Sequence, residues 1–196
     1  MTVRFVGDVH GRFGDLCDLI AGHGCDFVLL GDVGLGFSRE LDCKFPCSVN
    51  LHFIRGNHDC PEVCFRTAGY LGDFGYHEGL GLFFVSGAFS IDWYCRREGV
   101  SWWRDEELSY AQFQDAVGLF EKVRPEVMVS HDCPESVTQF FYDRGRIRSV
   151  TSSALDVMFS SHRPKLWVFG HHHRNVDFEF SGTRFVGLAE LCTFDL

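Results

Sequence analysis

A chain of 196 residues, 45% apolar and 23% charged, is long enough for one well-cored domain and too short for two comfortable ones, and its composition excludes disorder. The formal net charge of −9, from 18 basic against 27 acidic side chains, argues against extended nucleic-acid binding, because neutralising a phosphate backbone requires Lys and Arg. No apolar run approaches the ~20 residues of a spanning helix, and residues 1–7 show no secretory signal, so no membrane segment is expected and the location is read as cytoplasmic.

Thr2 to Val6 predicts a strand that breaks at Gly7-Asp8-Val9-His10-Gly11. Phe13 to Gly24 follows, with Leu16, Leu19 and Ile20 at helical spacing. Phe27 to Leu30 is a second strand ending at Gly31-Asp32, and Val49 to Ile54 a third ending at Gly56-Asn57-His58-Asp59. This alternation favours an α/β layout with a mainly parallel sheet. Leu80 to Ser86 is a further strand, followed by a long aromatic and charged segment. Ser109 to Lys122 predicts an amphipathic helix with Phe113, Val117 and Phe120 on one face. Glu126 to Val129 is a strand stopping at Ser130-His131-Asp132. Thr151 to His162 reads as a helix, and Leu166 to Phe169 as a strand stopping at Gly170-His171-His172-His173. Val176, Phe178 and Phe180 then alternate with acids, and Gly182 turns the chain into 184–188, which predicts a hairpin with 190–194 as a possible third strand. No repeat or linker interrupts the sequence, so residues 1–196 are taken as a single domain.

Nine cysteines fit reduced, mostly buried thiols. The alternative is a structural zinc site built from two C-x3-C pairs, Cys43/Cys47 and Cys60/Cys64.

Five of these strands end in Gly-Asp, Gly-Asp, Gly-Asn-His, Ser-His and Gly-His-x-His. In α/β sheets the carboxyl ends of the strands face one crevice, so residues distant in sequence converge there. Carboxylates and imidazoles brought together need a cation between them, and two divalent ions would turn them into a satisfied set of oxygen and nitrogen ligands. Any one of these residues alone is more simply a turn or cap residue; the ordered set carries the reading.

Asp8-x-His10, Gly31-Asp32, Gly56-Asn57-His58-Asp59, His131 and Gly170-His171-x-His173 together resemble the five-block signature of calcineurin-like metallophosphoesterases, in the family's order. The resemblance implies a layered α/β fold, a central β-sandwich of mixed sheets flanked by helices, with no separate cap domain. It implies that Asp8, His10 and His173 hold one metal, that Asp32 bridges both, and that Asn57, His131 and His171 complete the second. His58 would stand beside them, protonating the leaving group or binding the phosphate. The expected cofactors are two divalent ions, manganese first, with iron, zinc or nickel as alternatives, holding a bridging hydroxide that attacks phosphorus.

Arg55 precedes its block as in the protein-phosphatase branch, and Arg12 follows the first block; both are candidate phosphate contacts. The Asp-Arg-Gly element of that branch is absent, because Val33-Gly34-Leu35-Gly36-Phe37 stands after Asp32. Residues 88–104, rich in Trp, Tyr and Arg, are the expected substrate-facing segment, a region similar to that of small bacterial and phage-encoded members. Arg96 and Arg97 are its candidate phosphate contacts and Trp102 and Trp103 its packing. The expected activity is a phosphatase acting on a phosphorylated small molecule, a small nucleotide or a phosphoprotein. The alternatives are a phosphodiesterase acting on cyclic nucleotides or nucleic acid, a mononuclear zinc hydrolase, and a non-catalytic protein-binding scaffold.

Overall fold

A computed structural model of the chain describes residues 2–46, 48–142 and 149–196. The elements run β1 (Val3–Val6), α1 (Phe13–Ile20), β2 (Asp26–Leu29), α2 (Arg39–Asp42), β3 (Leu51–Phe53), α3 (Pro61–Arg66), β4 (Phe74–His77), β5 (Leu82–Val85), α4 (Tyr110–Val123), β6 (Val127–Ser130), α5 (Glu135–Thr138), α6 (Val150–Ser161), β7 (Leu166–Phe169), β8 (Val176–Phe180), β9 (Thr183–Gly187) and β10 (Thr193–Asp195), with a 3-10 turn at Trp93–Cys95 between β5 and α4.

The strands form two mixed sheets, ordered β10-β1-β2-β3 and β4-β5-β6-β7-β9-β8. β1, β2 and β3 are parallel, as are β5, β6, β7 and β9, while β10, β4 and β8 pair antiparallel at the edges. Side chains alternate across each strand, and that alternation builds three apolar layers. Val3, Phe5, Val28 and Leu30 of the first sheet meet Phe84, Val129, Val168 and Val186 of the second between the sheets. On the outer face of the second sheet, Phe83, Met128, Trp167 and Phe185 pack against Phe113 and Phe120 of α4 and Leu155 and Met158 of α6. On the outer face of the first sheet, Val6 and Leu29 cover Phe13 and Leu16 of α1. The expected sandwich of mixed sheets flanked by helices is the observed fold.

The last expected strand is placed differently. β10 does not extend the hairpin. It crosses to the other sheet and pairs with β1, with Asp195 opposite Arg4. Arg4 Nε donates to Asp195 Oδ1 at 2.6 Å and Nη2 to Oδ2 at 2.9 Å, a two-pronged pair that fixes this register. β4, α2, α3 and α5 carry too few periodic apolar residues to announce themselves.

Cys47, one of the four cysteines of the alternative zinc site, lies outside the described residues. Cys64 is buried and Cys43 exposed, and no cluster of potential metal ligands among the described residues includes a cysteine. No helix among them is long and apolar enough to cross a membrane.

Candidate metal centre

The carboxyl ends of β1, β2, β3, β6 and β7 open on one cleft. Asp8 follows β1, Asp32 β2, Asn57 and His58 β3, His131 β6, and His171 and His173 β7. Four residues of these loops hold left-handed backbone: His10 (φ 48°), Asp32 (46°), His171 (63°) and His173 (51°). Non-glycine residues in that region carry local strain and concentrate at functional sites. The neighbouring glycine at 56 is required sterically, since a Cβ there would run into Asp32 Oδ1 and His131 Nε2.

A backbone N–H fastens one oxygen of each carboxylate. The His171 amide donates to Asp8 Oδ1 at 3.1 Å, and the His58 amide donates to Asp32 Oδ1 at 2.8 Å. Asp8 Oδ2 is buried and makes no hydrogen bond, although His173 Nε2 lies 3.1 Å away. Ligand atoms of Asp8, His10, Asp32 and His173 lie within 4.8 Å of one another, and so do those of Asp32, His131 and His171. Asp32 belongs to both groups.

Asn57 joins the second group, its Oδ1 3.1 Å from His131 Nε2. His131 Nδ1 lies 2.6 Å from the Leu30 carbonyl, which can only accept, so Nδ1 carries the proton there. The neutral ring then turns a lone pair on Nε2 toward Asn57 Oδ1 and toward Asp32 Oδ1, at 3.3 Å. Three electron-pair donors around one point require a proton or a metal ion. Together with the orphaned Asp8 Oδ2, this donor set fits divalent cations with mixed oxygen and nitrogen ligation.

Electrostatics report the same demand. Burial opposes ionisation of Asp32, but His131, His58 and His10 outweigh it and hold the carboxyl far below the usual range. Burial likewise opposes charging His131, and Asp32 and Asp8 overcome it, raising the imidazole to about 10. His171 goes the other way, to about 4, because burial and its histidine neighbours outweigh Asp132 and Asp32. His58 is lowered by burial and by Arg96, with Asp32 opposing.

Two acids beyond the expected set shape the cleft. Asp59 is fully buried and accepts four backbone N–H groups, from Val33 (3.0 Å), Gly34 (2.7 Å), Leu35 (3.1 Å) and Gly56 (2.8 Å). It stitches the loop after β2 to the loop after β3. Asp132 Oδ1 meets His172 Nε2 at 3.0 Å, tying the loop after β6 to the loop after β7. His172 thus belongs to the site's framework, and Asp132, His171 and His172 form a third potential ligand group. Asp59 was visible in the sequence as the acid closing its block; nothing marked the Asp132–His172 pair.

The four arginines separate. Arg55 does not reach the cleft. It is 2% exposed and donates to Asp73 Oδ1 at 3.1 Å and to the Glu106 carbonyl at 2.7 Å, so its expected phosphate role is replaced by a buried structural one. Arg12 pairs with Asp15 at 2.6 Å and approaches Glu190 at 3.9 Å on the rim beside His173. Arg97 is exposed and does not line the cleft. Arg96 does: its Nη2 lies 2.7 Å from His58 Nε2 and its Nη1 3.0 Å from Nδ1. A neutral imidazole accepts at only one nitrogen, so at most one of these contacts is a hydrogen bond. Asp92 holds Arg96 from behind at 2.8 Å. Trp103 is buried, as expected, and Trp102 stacks at a tilt on Trp93.

The cleft has a volume of about 620 Å³. The cluster of Asp32, Asn57, His171 and His173 forms one wall, and Phe89, Ile91, Thr138 and Tyr142 stand among its other lining residues.

The sequence profile of the calcineurin-like phosphoesterases matches residues 1–175. The chain belongs to that family, and membership implies a metal-dependent phosphoester hydrolase. No curated protein sequence matches it. A solved structure superposes with a TM-score of 0.61 over 96% of this chain and 90% of the other, at 15% identity, a likeness that shows the fold.

Proposed function

We propose that this chain is a phosphomonoesterase working with two divalent cations, manganese first among them, that share Asp32. The observation that carries the reading is the pair of ligand clusters with Asp32 in common. Asp8, His10 and His173 would hold one ion and Asn57, His131 and His171 the other. When bound, the ions supply Lewis acidity and an activated water. The protein's own residues do the rest. Arg96 offers a cation to the phosphoryl oxygens, and a dianionic monoester gains more from it than a monoanionic diester. His58, kept below its ordinary value by burial and by Arg96, is a neutral imidazole whose N–H can donate to the phosphate or the leaving oxygen. Phe89 and Ile91 give the leaving group an apolar surface, and Thr138 and Tyr142 give it hydroxyls, which suits a small nucleotide or a phosphorylated side chain.

Parallel assays with p-nitrophenyl phosphate and bis-p-nitrophenyl phosphate in Mn2+ test this. The monoester is expected to turn over faster. Preference for the diester would reverse the assignment in favour of a phosphodiesterase, and turnover of neither would favour the scaffold reading.

A further inference from the structure

Asn57 can serve as an oxygen ligand only if its amide is turned with Oδ1 inward. The two ends of an amide are nearly identical in shape, so sterics do not choose between them. Hydrogen-bond polarity does, and on the Nδ2 side of the amide it is set by two residues outside the strand-end loops. Asn57 Nδ2 faces Ser90 Oγ at 3.0 Å. The single hydroxyl proton of Ser90 goes to Glu106 Oε2 at 2.5 Å, while the Ser90 backbone N–H donates to Glu106 Oε1 at 2.8 Å. With its proton committed, Ser90 Oγ can only accept. It therefore takes an amide N–H from Asn57 and would repel a carbonyl.

The three side chains are almost fully buried, with Asn57 2%, Ser90 1% and Glu106 3% exposed, so water cannot substitute for a missing partner. Glu106 is itself held in place, because its backbone carbonyl accepts from Arg55 Nη1 at 2.7 Å. Ser90 lies near the start of the segment between β5 and α4, and Glu106 near its end. The same bond that closes the base of that segment reaches the second ligand cluster.

We propose that Glu106 and Ser90 are positioning residues, a relay whose polarity aims the Asn57 carbonyl, and not its amide nitrogen, at the second metal. The inference rests on the two-metal reading of the cleft. It assigns the buried Glu106 carboxylate a role that none of the strand-end motifs predicts.

Glu106→Gln tests it, because the substitution preserves shape and exchanges one acceptor for a donor. The glutamine oxygen satisfies the Ser90 backbone N–H, and its amide nitrogen donates to Ser90 Oγ. The serine proton is released toward Asn57, whose carbonyl turns away from the metal. Calorimetric titration of metal-free protein with Mn2+ should show two ions per chain for the wild type. Glu106→Gln should keep the first site and weaken the second about 10–100-fold. Ser90→Ala, which removes the acceptor, should do the same. The charge-conserving double variant Asn57→Asp/Glu106→Gln has an oxygen at both ends of the residue 57 side chain and should recover most of the loss.

A role confined to folding would lower the unfolding temperature of the metal-free protein without separating the two sites, and would gain nothing from the aspartate. Two sites in the wild type with an unchanged second site in Glu106→Gln overturn the relay alone, as does equal weakening of both sites that the double variant leaves unrelieved. A wild type that binds one Mn2+ or none overturns the two-metal reading and the relay with it.

Discussion

The strand-end loops and the segment between β5 and α4 reach the same cleft by different means. The loops after β1, β2, β3, β6 and β7 are short continuations of buried strands. Backbone N–H groups fasten their acids, as with Asp8, Asp32 and above all Asp59, which accepts four. The segment after β5 is a long excursion whose tip is open to solvent, with Ile91 60% and Tyr94 72% exposed. It delivers Arg96 through a side chain braced by another side chain, Asp92. Positions set by sheet register should tolerate little change. Positions set by side-chain bracing should be tunable, and that is the difference expected between a part that holds metals and a part that chooses substrates.

That contrast can be broken at four points. Removing the fastening should have the largest effect. Asp59→Ala leaves four buried N–H groups without an acceptor and should cost about 3–5 kcal/mol in chemical denaturation, with loss of metal binding. A loss below about 1 kcal/mol would show that the loops hold themselves. His58→Gln comes next: it should keep its metals and lower kcat about 10²–10⁴-fold on substrates with poor leaving groups. An unchanged rate would remove His58 from the chemistry. Arg96→Ala, in the braced segment, should raise KM for a monoester about 10–100-fold while both metals bind as before, an effect of about 1.4–2.8 kcal/mol. Equal losses on monoester and diester would detach Arg96 from the dianion.

The smallest effect is expected at Asp132. Burial opposes its ionisation, but the His172 hydrogen bond and the nearby His171 outweigh that and bring the carboxyl to about 2, below the ordinary ~3.9. A depressed carboxyl contributes stability above its unfolded value, and the contribution is lost as pH falls through the folded one. Metal-free Asp132→Asn should therefore be about 1–3 kcal/mol less stable than the wild type at neutral pH. The gap should close between about pH 4 and pH 2. A gap constant across that range would mean that the charge contributes nothing.

The same division explains what could be read from the sequence. Asp8, His10, Asp32, Asn57, His131, His171 and His173 each stand one to four residues past a strand, so an apolar run followed by glycine or serine announces them. The fold was legible for the same reason, since alternating β-strand faces and helical spacing are local patterns. Partners chosen across the tertiary structure were not legible. Arg55 sits beside a ligand block, yet burial and Asp73 claim it. His172 lies between two candidate ligands but pairs with Asp132 on another loop. Ser90 and Glu106 are 16 residues apart and meet only because the intervening segment folds back on itself. β10 was expected to continue the hairpin, and its pairing with β1 joins residues as far apart as Arg4 and Asp195, 191 positions along the chain.

The central claim is that two cations share Asp32. Its most direct test is metal content after Mn2+ loading and dialysis, measured by elemental analysis on the wild type and Asp32→Asn side by side. Two ions per chain are expected in the wild type, with loss of most of both in the variant, because each cluster surrenders the same carboxylate. One ion per wild-type chain, or a variant that keeps its full complement, would contradict it.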